Sequence, residues 1–295
     1  MIIDAHIHVG EYKKHFSEDF AKSTSGAFGS EANLWTVEPQ KLLRDMDEAG
    51  ISKAVILGID ITNVDPGTKS PDDYIYNNYL KNYPDRFIAF SGVLPIDSAG
   101  RFSPESLKQF ERSITELGFR GMKATPSYSH YPPNHRSIYP YYQKAVELKV
   151  PVLLHTGMTS YTYAKAEYGN PAYIDDVALD FPNLKICIAH MDYPWSKELF
   201  SVMRKCHNIY TDVSALCLRP MELTWHLVLA KEYQLMDRVM WGTDYPVCNP
   251  KNYVNWMQEG LNNVVKRCGW PTFSNQEINR MLYENACEFL GLKTN

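Results

Sequence analysis

Ile2-Ile3-Asp4-Ala5-His6-Ile7-His8-Val9 stands at the start of the chain and reads as a buried strand carrying two imidazoles. Side chains two residues apart on a strand point to the same side. Ile3, Ala5, Ile7 and Val9 are therefore expected to point outward, and Asp4, His6 and His8 inward. Seven further apolar segments of strand length follow, at 53–59, 86–94, 119–125, 150–156, 184–191, 209–215 and 238–245. Several are apolar at nearly every position, as parallel strands covered on both faces are.

Helical patterns lie between them. Thr36 is expected to cap a helix with Leu42, Leu43, Met46 and Ala49 on one face and Gly50 at its end. Ser70-Pro71 and Ser103-Pro104 mark two more starts, since proline suits the first helical position. Ser274 with Glu277 has the spacing of a capping box for the last helix. Strand and helix alternating about eight times within one domain's length point to an α/β chain folded as a (β/α)₈ TIM-type barrel spanning 1–295. An open doubly wound sheet usually carries a glycine-rich turn after its first strand. Here that position reads His6-Ile7-His8-Val9-Gly10, which weakens a nucleotide-binding reading. Residues 11–35 form a long insertion after strand one, either a lid or a loose surface loop.

Composition sets the remaining bounds. The 295 residues carry 30 Lys and Arg against 34 Asp and Glu, a net charge of −4, with 44 % hydrophobic and 22 % charged residues. That excludes a disordered chain and argues against a protein that grips nucleic acid through phosphate charge. No apolar run reaches the 18 or so residues of a membrane span. The six cysteines, at 187, 206, 217, 248, 268 and 287, form no CxxC pair. Reduced thiols in a cytoplasmic protein are the expectation, with Cys248 an ordinary thiol.

The polar residues at the ends of the expected strands suggest chemistry. Two imidazoles facing a barrel interior need a partner, and neutral imidazole nitrogen is a good ligand for a divalent transition metal. His155 ends strand five, His190 strand six and Asp244 strand eight. Barrel closure sets strand eight beside strand one, and barrel enzymes act at the C-terminal ends of their strands. Taken singly, each of these residues has a structural explanation; their joint placement favours a site.

The ordered set Ile3-Asp4-Ala5-His6-Ile7-His8, Gly121-Met122-Lys123, Leu153-Leu154-His155-Thr156-Gly157, Ala189-His190 and Gly242-Thr243-Asp244-Tyr245-Pro246 resembles the amidohydrolase superfamily. It is most similar to the amidohydrolase-related branch that includes aminocarboxymuconate-semialdehyde decarboxylase-like proteins. The resemblance implies a distorted barrel and one divalent metal, usually zinc, with manganese as the other choice. It assigns the metal to His6, His8, His155 and Asp244, and makes His190 an acid/base or orienting residue beside them. Asp244 and His190 are then the catalytic pair.

The expected reaction is hydrolysis of a small carboxylated ester, lactone or amide by a metal-activated water. Decarboxylation or hydration of an unsaturated or aromatic acid is the alternative. A TatD-like nuclease is disfavoured, because that group carries a glutamate where this chain has Lys123. A non-catalytic barrel is disfavoured too, since no expected ligand is missing. Lys123 and Arg219 are candidates for binding a substrate carboxylate, and Tyr128, Tyr161, Tyr163 and His130 for walling the pocket, against structural roles for each. The expected partner is a small molecule, with neither nucleic acid nor membrane, and relatives suggest a homodimer.

Overall fold

The computed structural model describes residues 1–27, 29–157 and 159–293. Its eight strands are β1 (Ile3–Ile7), β2 (Lys53–Leu57), β3 (Phe87–Gly92), β4 (Gly121–Ala124), β5 (Val152–Leu154), β6 (Ile186–Ile188), β7 (Ile209–Asp212) and β8 (Val239–Met240). They form one sheet in sequence order, every neighbouring pair parallel, with helices between. The sheet closes through backbone bonds from Ala5 N to Trp241 O (3.1 Å), His8 N to Tyr245 O (2.7 Å) and Asp244 N to His6 O (2.8 Å). Glycine is required at this seam: a Cβ on Gly242 would lie 2.9 Å from His6 Cβ. All eight expected strands are present, each shorter than its apolar segment. The segments run on past the ladder into the turns that carry the polar residues.

Two apolar layers hold the barrel. Outward-facing residues such as Ile56, Ala89, Met122, Leu154, Ile188 and Trp241 pack beneath the helices. Inside, Ile3, Ala5, Val55, Phe90, Leu153, Tyr210 and Met240 pack with Phe289 and Leu290 of the final helical stretch. Ile3 and Ala5 thus point inward, contrary to the strict alternation expected for β1. The pairing with β2 shifts register between Asp4 and Ile7, and an extra residue in a ladder resets which face each side chain takes. Asp4 turns to β8, where its carboxylate accepts bonds from Thr243 N (2.9 Å) and Thr243 Oγ1 (2.6 Å). Beyond the shift, Ile7 is in the outer layer as expected, and His6 and His8 reach the interior site.

Local starts follow the sequence in part. The Ser274–Glu277 capping box is formed, and the helix Pro104–Thr115 begins after Ser103. Glu38, rather than Thr36, precedes the helix Pro39–Glu48, and the Thr36 hydroxyl instead accepts from Tyr12 N (3.1 Å). The Ser70 hydroxyl donates to Val9 O (2.8 Å) and caps nothing. Cys217 and Cys248 form a disulfide, which corrects the expectation of reduced thiols there. They lie 31 residues apart in sequence, but the loops after β7 and β8 are neighbours in the barrel. Among the described residues no helix is long and apolar enough to cross a membrane.

The insertion is ordered where described. Ser17 caps a helix Glu18–Gly26, and a single turn follows at Ala32–Trp35. Phe16, Phe20 and Trp35 pack with Ile59, Ile61, Tyr128 and Tyr161 in a separate apolar cluster. Asp65 ties this roof to its neighbours by accepting from Ser17 Oγ (2.5 Å), Thr68 Oγ1 (2.8 Å) and Tyr161 OH (3.2 Å).

Candidate active site

A cavity of about 260 Å³ opens at the C-terminal ends of the strands. His8, Lys123, His155, His190 and Asp244 line its polar side, and Phe20, Trp35, Ile59, Tyr128, Leu216 and Val247 its apolar side. The roof insertion therefore supplies part of the wall.

His6 and His8 project from the end of β1. His6 Nε2 and His8 Nε2 are 3.2 Å apart, and each is 3.3 Å from Asp244 Oδ1. Their other nitrogens are engaged elsewhere: His6 Nδ1 meets Asp212 Oδ2 at 2.9 Å, and His8 Nδ1 meets Leu57 O at 2.8 Å. A carbonyl or an ionised carboxylate can only accept, so both Nδ1 atoms carry the hydrogen. With one proton per ring, two bare nitrogens and a carboxylate oxygen then face one another. Three acceptors at this spacing repel unless a positive centre, a proton or a metal ion, lies among them. The donor set fits a divalent cation, and anchoring of the opposite ring nitrogen is the usual support of histidine ligands.

His155 stands beside this trio rather than in it. Its Nδ1 lies 3.2 Å from His190 Nε2, its ring stacks on Tyr128 at 4.4 Å, and its buried Nε2 has no hydrogen-bond partner among the described residues. His190 sits on a turn where His190, Met191 and Asp192 all have positive φ (58°, 52° and 53°). Such left-handed runs are costly for non-glycine residues and collect at functional sites. Gly157 (φ 78°) lets the β5 end pass this turn, since a Cβ there would lie 2.7 Å from Tyr193 O.

Burial, and then the charge of Lys123, lowers His6 to about 3, so the ring is neutral near pH 7. Burial, His190 and Lys123 hold His155 well below the usual imidazole range. For Asp244 burial alone would raise the carboxyl, but the surrounding His8, His6 and His190 outweigh it and hold it ionised. Burial lowers Lys123 to about 8, against the pull of Asp212 and Asp244. Its buried ammonium has no hydrogen-bond partner among the described residues.

The other sequence candidates divide. Arg219 lines the cavity, with its guanidinium 5.8 Å above the Tyr193 ring, and Tyr128 lines it with its hydroxyl bonded by Thr159 (2.8 Å). Tyr161, Tyr163 and His130 are not among the lining residues. Tyr161 packs in the roof, and His130 Nε2 bonds the Tyr163 carbonyl (2.6 Å). Sequence reasoning missed Asp212, Ser214, Phe20 and Trp35. The alternation Thr211-Asp212-Val213-Ser214 at the end of an apolar strand was the available signal for the first two. The two aromatics had none, because their insertion reaches the site only through tertiary packing.

The family model for amidohydrolases matches residues 3–292, and the chain belongs to that family of enzymes. A 2-keto-4-carboxy-3-hexenedioate hydratase from Sphingobium sp. is 31 % identical over 149 residues, which covers 41 % of this chain and 42 % of the hydratase. The match thus spans under half of that relative's length. An uncharacterised TIM-barrel protein from Bordetella bronchiseptica superposes with a TM-score of 0.77 at 22 % identity, covering 98 % of both chains. A dihydroxybenzoic acid decarboxylase from Polaromonas sp., solved with bound manganese, gives 0.66 at 17 % identity, covering 100 % of this chain and 98 % of the other. A probable 2-pyrone-4,6-dicarboxylic acid hydrolase from Acinetobacter baumannii with citric acid bound gives 0.63 at 15 % identity over 99 % of both. At these identities the structural likenesses establish the barrel fold. Residue groups able to hold a divalent metal are present in this chain.

Proposed function

We propose that the protein is a metal-dependent hydrolase acting on a small carboxylated ester, lactone or amide. The observation that carries this reading is the convergence of His6 Nε2, His8 Nε2 and Asp244 Oδ1 within 3.3 Å. These residues would hold the ion, zinc on the choice of nitrogen and oxygen donors, with His155 Nε2 as the fourth contact. When bound, the ion polarises a carbonyl oxygen and makes water more acidic.

The chain's own groups supply the rest. Asp244 accepts the proton of the attacking water and returns it to the leaving group. His190 holds His155 in place through its Nε2 contact. Lys123 and Arg219 bring positive charge to a substrate carboxylate, while Phe20, Trp35 and Tyr128 cover a flat body and limit entry of bulk water. The described part of the insertion, around Phe20 and Trp35, then acts as the lid.

Hydration of an unsaturated acid is the second reading, favoured by the 31 % identical hydratase segment. Both add water, and they differ in whether a bond is cleaved. Metal-loaded protein assayed against lactones, esters and unsaturated dicarboxylic acids in ¹⁸O-labelled water separates them. Hydrolysis puts the label into a new carboxylate, hydration into a new hydroxyl, and decarboxylation releases carbon dioxide. Asp244→Asn should lower turnover at least a hundredfold and leave the circular dichroism spectrum unchanged. Protein that binds less than a tenth of an equivalent of any divalent transition metal, with no gain of activity on reconstitution, would sink the metal reading.

A further inference from the structure

Asp212 ends β7 and does not itself line the cavity, yet its side chain gathers more polar contacts than that of any ligand candidate. Its Oδ1 accepts from His190 N (3.0 Å), Ser214 N (3.0 Å) and the Ser214 hydroxyl. Its Oδ2 meets His6 Nδ1 (2.9 Å) and Cys187 Sγ (3.8 Å). Every one of these neighbours is a donor or can become one, so the carboxylate has no need of a proton of its own.

Proton counting then runs in one direction. Asp212 only accepts, so the Ser214 hydroxyl spends its hydrogen on Oδ1, and His6 must present Nδ1–H to Oδ2. The Ser214 oxygen is left with lone pairs alone. His190 Nδ1, 2.8 Å from that oxygen and 3.0 Å from the Ser214 carbonyl, therefore carries its hydrogen as well. With one proton per ring, His190 Nε2 is bare and takes the hydrogen of His155 Nδ1 at 3.2 Å. That leaves His155 Nε2 bare, and this buried nitrogen has no hydrogen-bond partner among the described residues. His6, Asp212 and His190 also lie close enough together to suggest a second metal group. Their facing atoms are already joined by hydrogen bonds, so the group is an anchoring hub.

We propose that Asp212 is the positioning residue that fixes which nitrogen of His6 is bare, while the Ser214 carbonyl fixes the hydrogen of His190 and so which nitrogen of His155 is bare. Both rings are thereby held ready for one cation. This rests on the reading of the site as a metal centre, and it assigns the selection of the His6 ligating nitrogen to a residue that is not a ligand.

Asp212→Asn tests the assignment because its geometry is constrained. Two backbone N–H groups hold the Oδ1 side, so the amide oxygen must occupy that place. The amide NH₂ then replaces Oδ2 opposite His6 Nδ1. An NH₂ group cannot accept, and its own hydrogen would face the one on Nδ1, so the His6 hydrogen is driven to Nε2, into the space between His8 and Asp244, although the Ser214 oxygen also lies 3.0 Å from Nδ1. The first readout is ¹⁵N-histidine NMR of the metal-free protein near pH 8.5, which reports the protonated ring nitrogen without any turnover. The second is the zinc dissociation constant, by competition with a chromophoric chelator.

The expected result is a hydrogen on His6 Nδ1 in the wild type and a bare Nδ1 in Asp212→Asn, with zinc bound at least tenfold more weakly by the variant. Ser214→Ala retains both Asp212 and the residue-214 carbonyl, and should keep the His6 pattern and bind zinc within a few fold of wild type. A bare His6 Nδ1 in the wild type overturns the proposal and needs no variant to fold. So does wild-type zinc affinity in Asp212→Asn. If the wild type shows the assigned nitrogens but takes up no metal, the metal reading falls while the hydrogen assignment stands. If it binds zinc and His6 Nδ1 is bare, the reverse holds.

Discussion

Removing the Cys217–Cys248 bridge should cost stability and loosen one wall of the site. The two cysteines are 31 residues apart in sequence, and closing a loop of that size restricts the unfolded chain by about 3–4 kcal/mol in the chain-entropy treatment. For a chain of this size that corresponds to a fall in Tm of about 7 °C, at about 2 °C per kcal/mol. The loss has a functional side. Leu216 and Arg219 flank one cysteine, Asp244 and Val247 precede the other, and all four line the cavity. Cys217→Ser with Cys248→Ser should therefore melt lower and show a raised KM, with kcat less affected. The first assay is a thiol count on unfolded protein without reductant. Four thiols are expected, from Cys187, Cys206, Cys268 and Cys287, and two more should appear after reduction. Six thiols before reduction, or a double variant with unchanged Tm, would refute the reasoning.

Two further outcomes follow from the β1–β8 seam. Burial raises Asp4 to about 7 in the folded protein, against 3.8 as a free side chain, with the Thr243 bonds opposing. The folded state then holds this proton more tightly than the unfolded one, so the stability it contributes is full below pH 3.8 and is lost as pH rises through 7. The loss is on the order of 4 kcal/mol at 1.36 kcal/mol per unit. Asp4→Asn keeps an acceptor for Thr243 N and offers a donor to Thr243 Oγ1, so its Tm relative to wild type should climb between pH 5 and pH 8; a pH-independent difference would count against the buried-acid account. Gly242→Ala would set a methyl 2.9 Å from His6 Cβ and 3.0 Å from His6 N. It is expected to destabilise the fold by about 1–3 kcal/mol through overpacking and to weaken divalent-metal binding, read by melting and by chelator competition; wild-type values for both would show that the seam yields freely.

How much of this was legible beforehand depends on the range of the interaction. The eight apolar segments and the ends at His6, His8, His155, His190 and Asp244 could be read along the chain, because strand burial and strand-end polarity are local patterns. The facing of Ile3, Ala5 and Asp4 could not. It depends on a register shift against β2, and a shift of one residue leaves no mark in the alternation of a single strand. The Thr36 cap failed for a related reason, since its hydroxyl is taken by Tyr12 N from the insertion.

What the sequence by itself determined was the repeating strand–helix plan and the donor types brought to one rim, since both follow from side-chain chemistry and short-range periodicity. Tertiary structure alone decided that Asp212 and Ser214 stand behind the histidines, that Phe20 and Trp35 cover them, and that Cys217 meets Cys248. These contacts join residues from about 25 to more than 200 positions apart. Only the closure of the sheet, strand by strand, brings such distant backbone within a few ångströms.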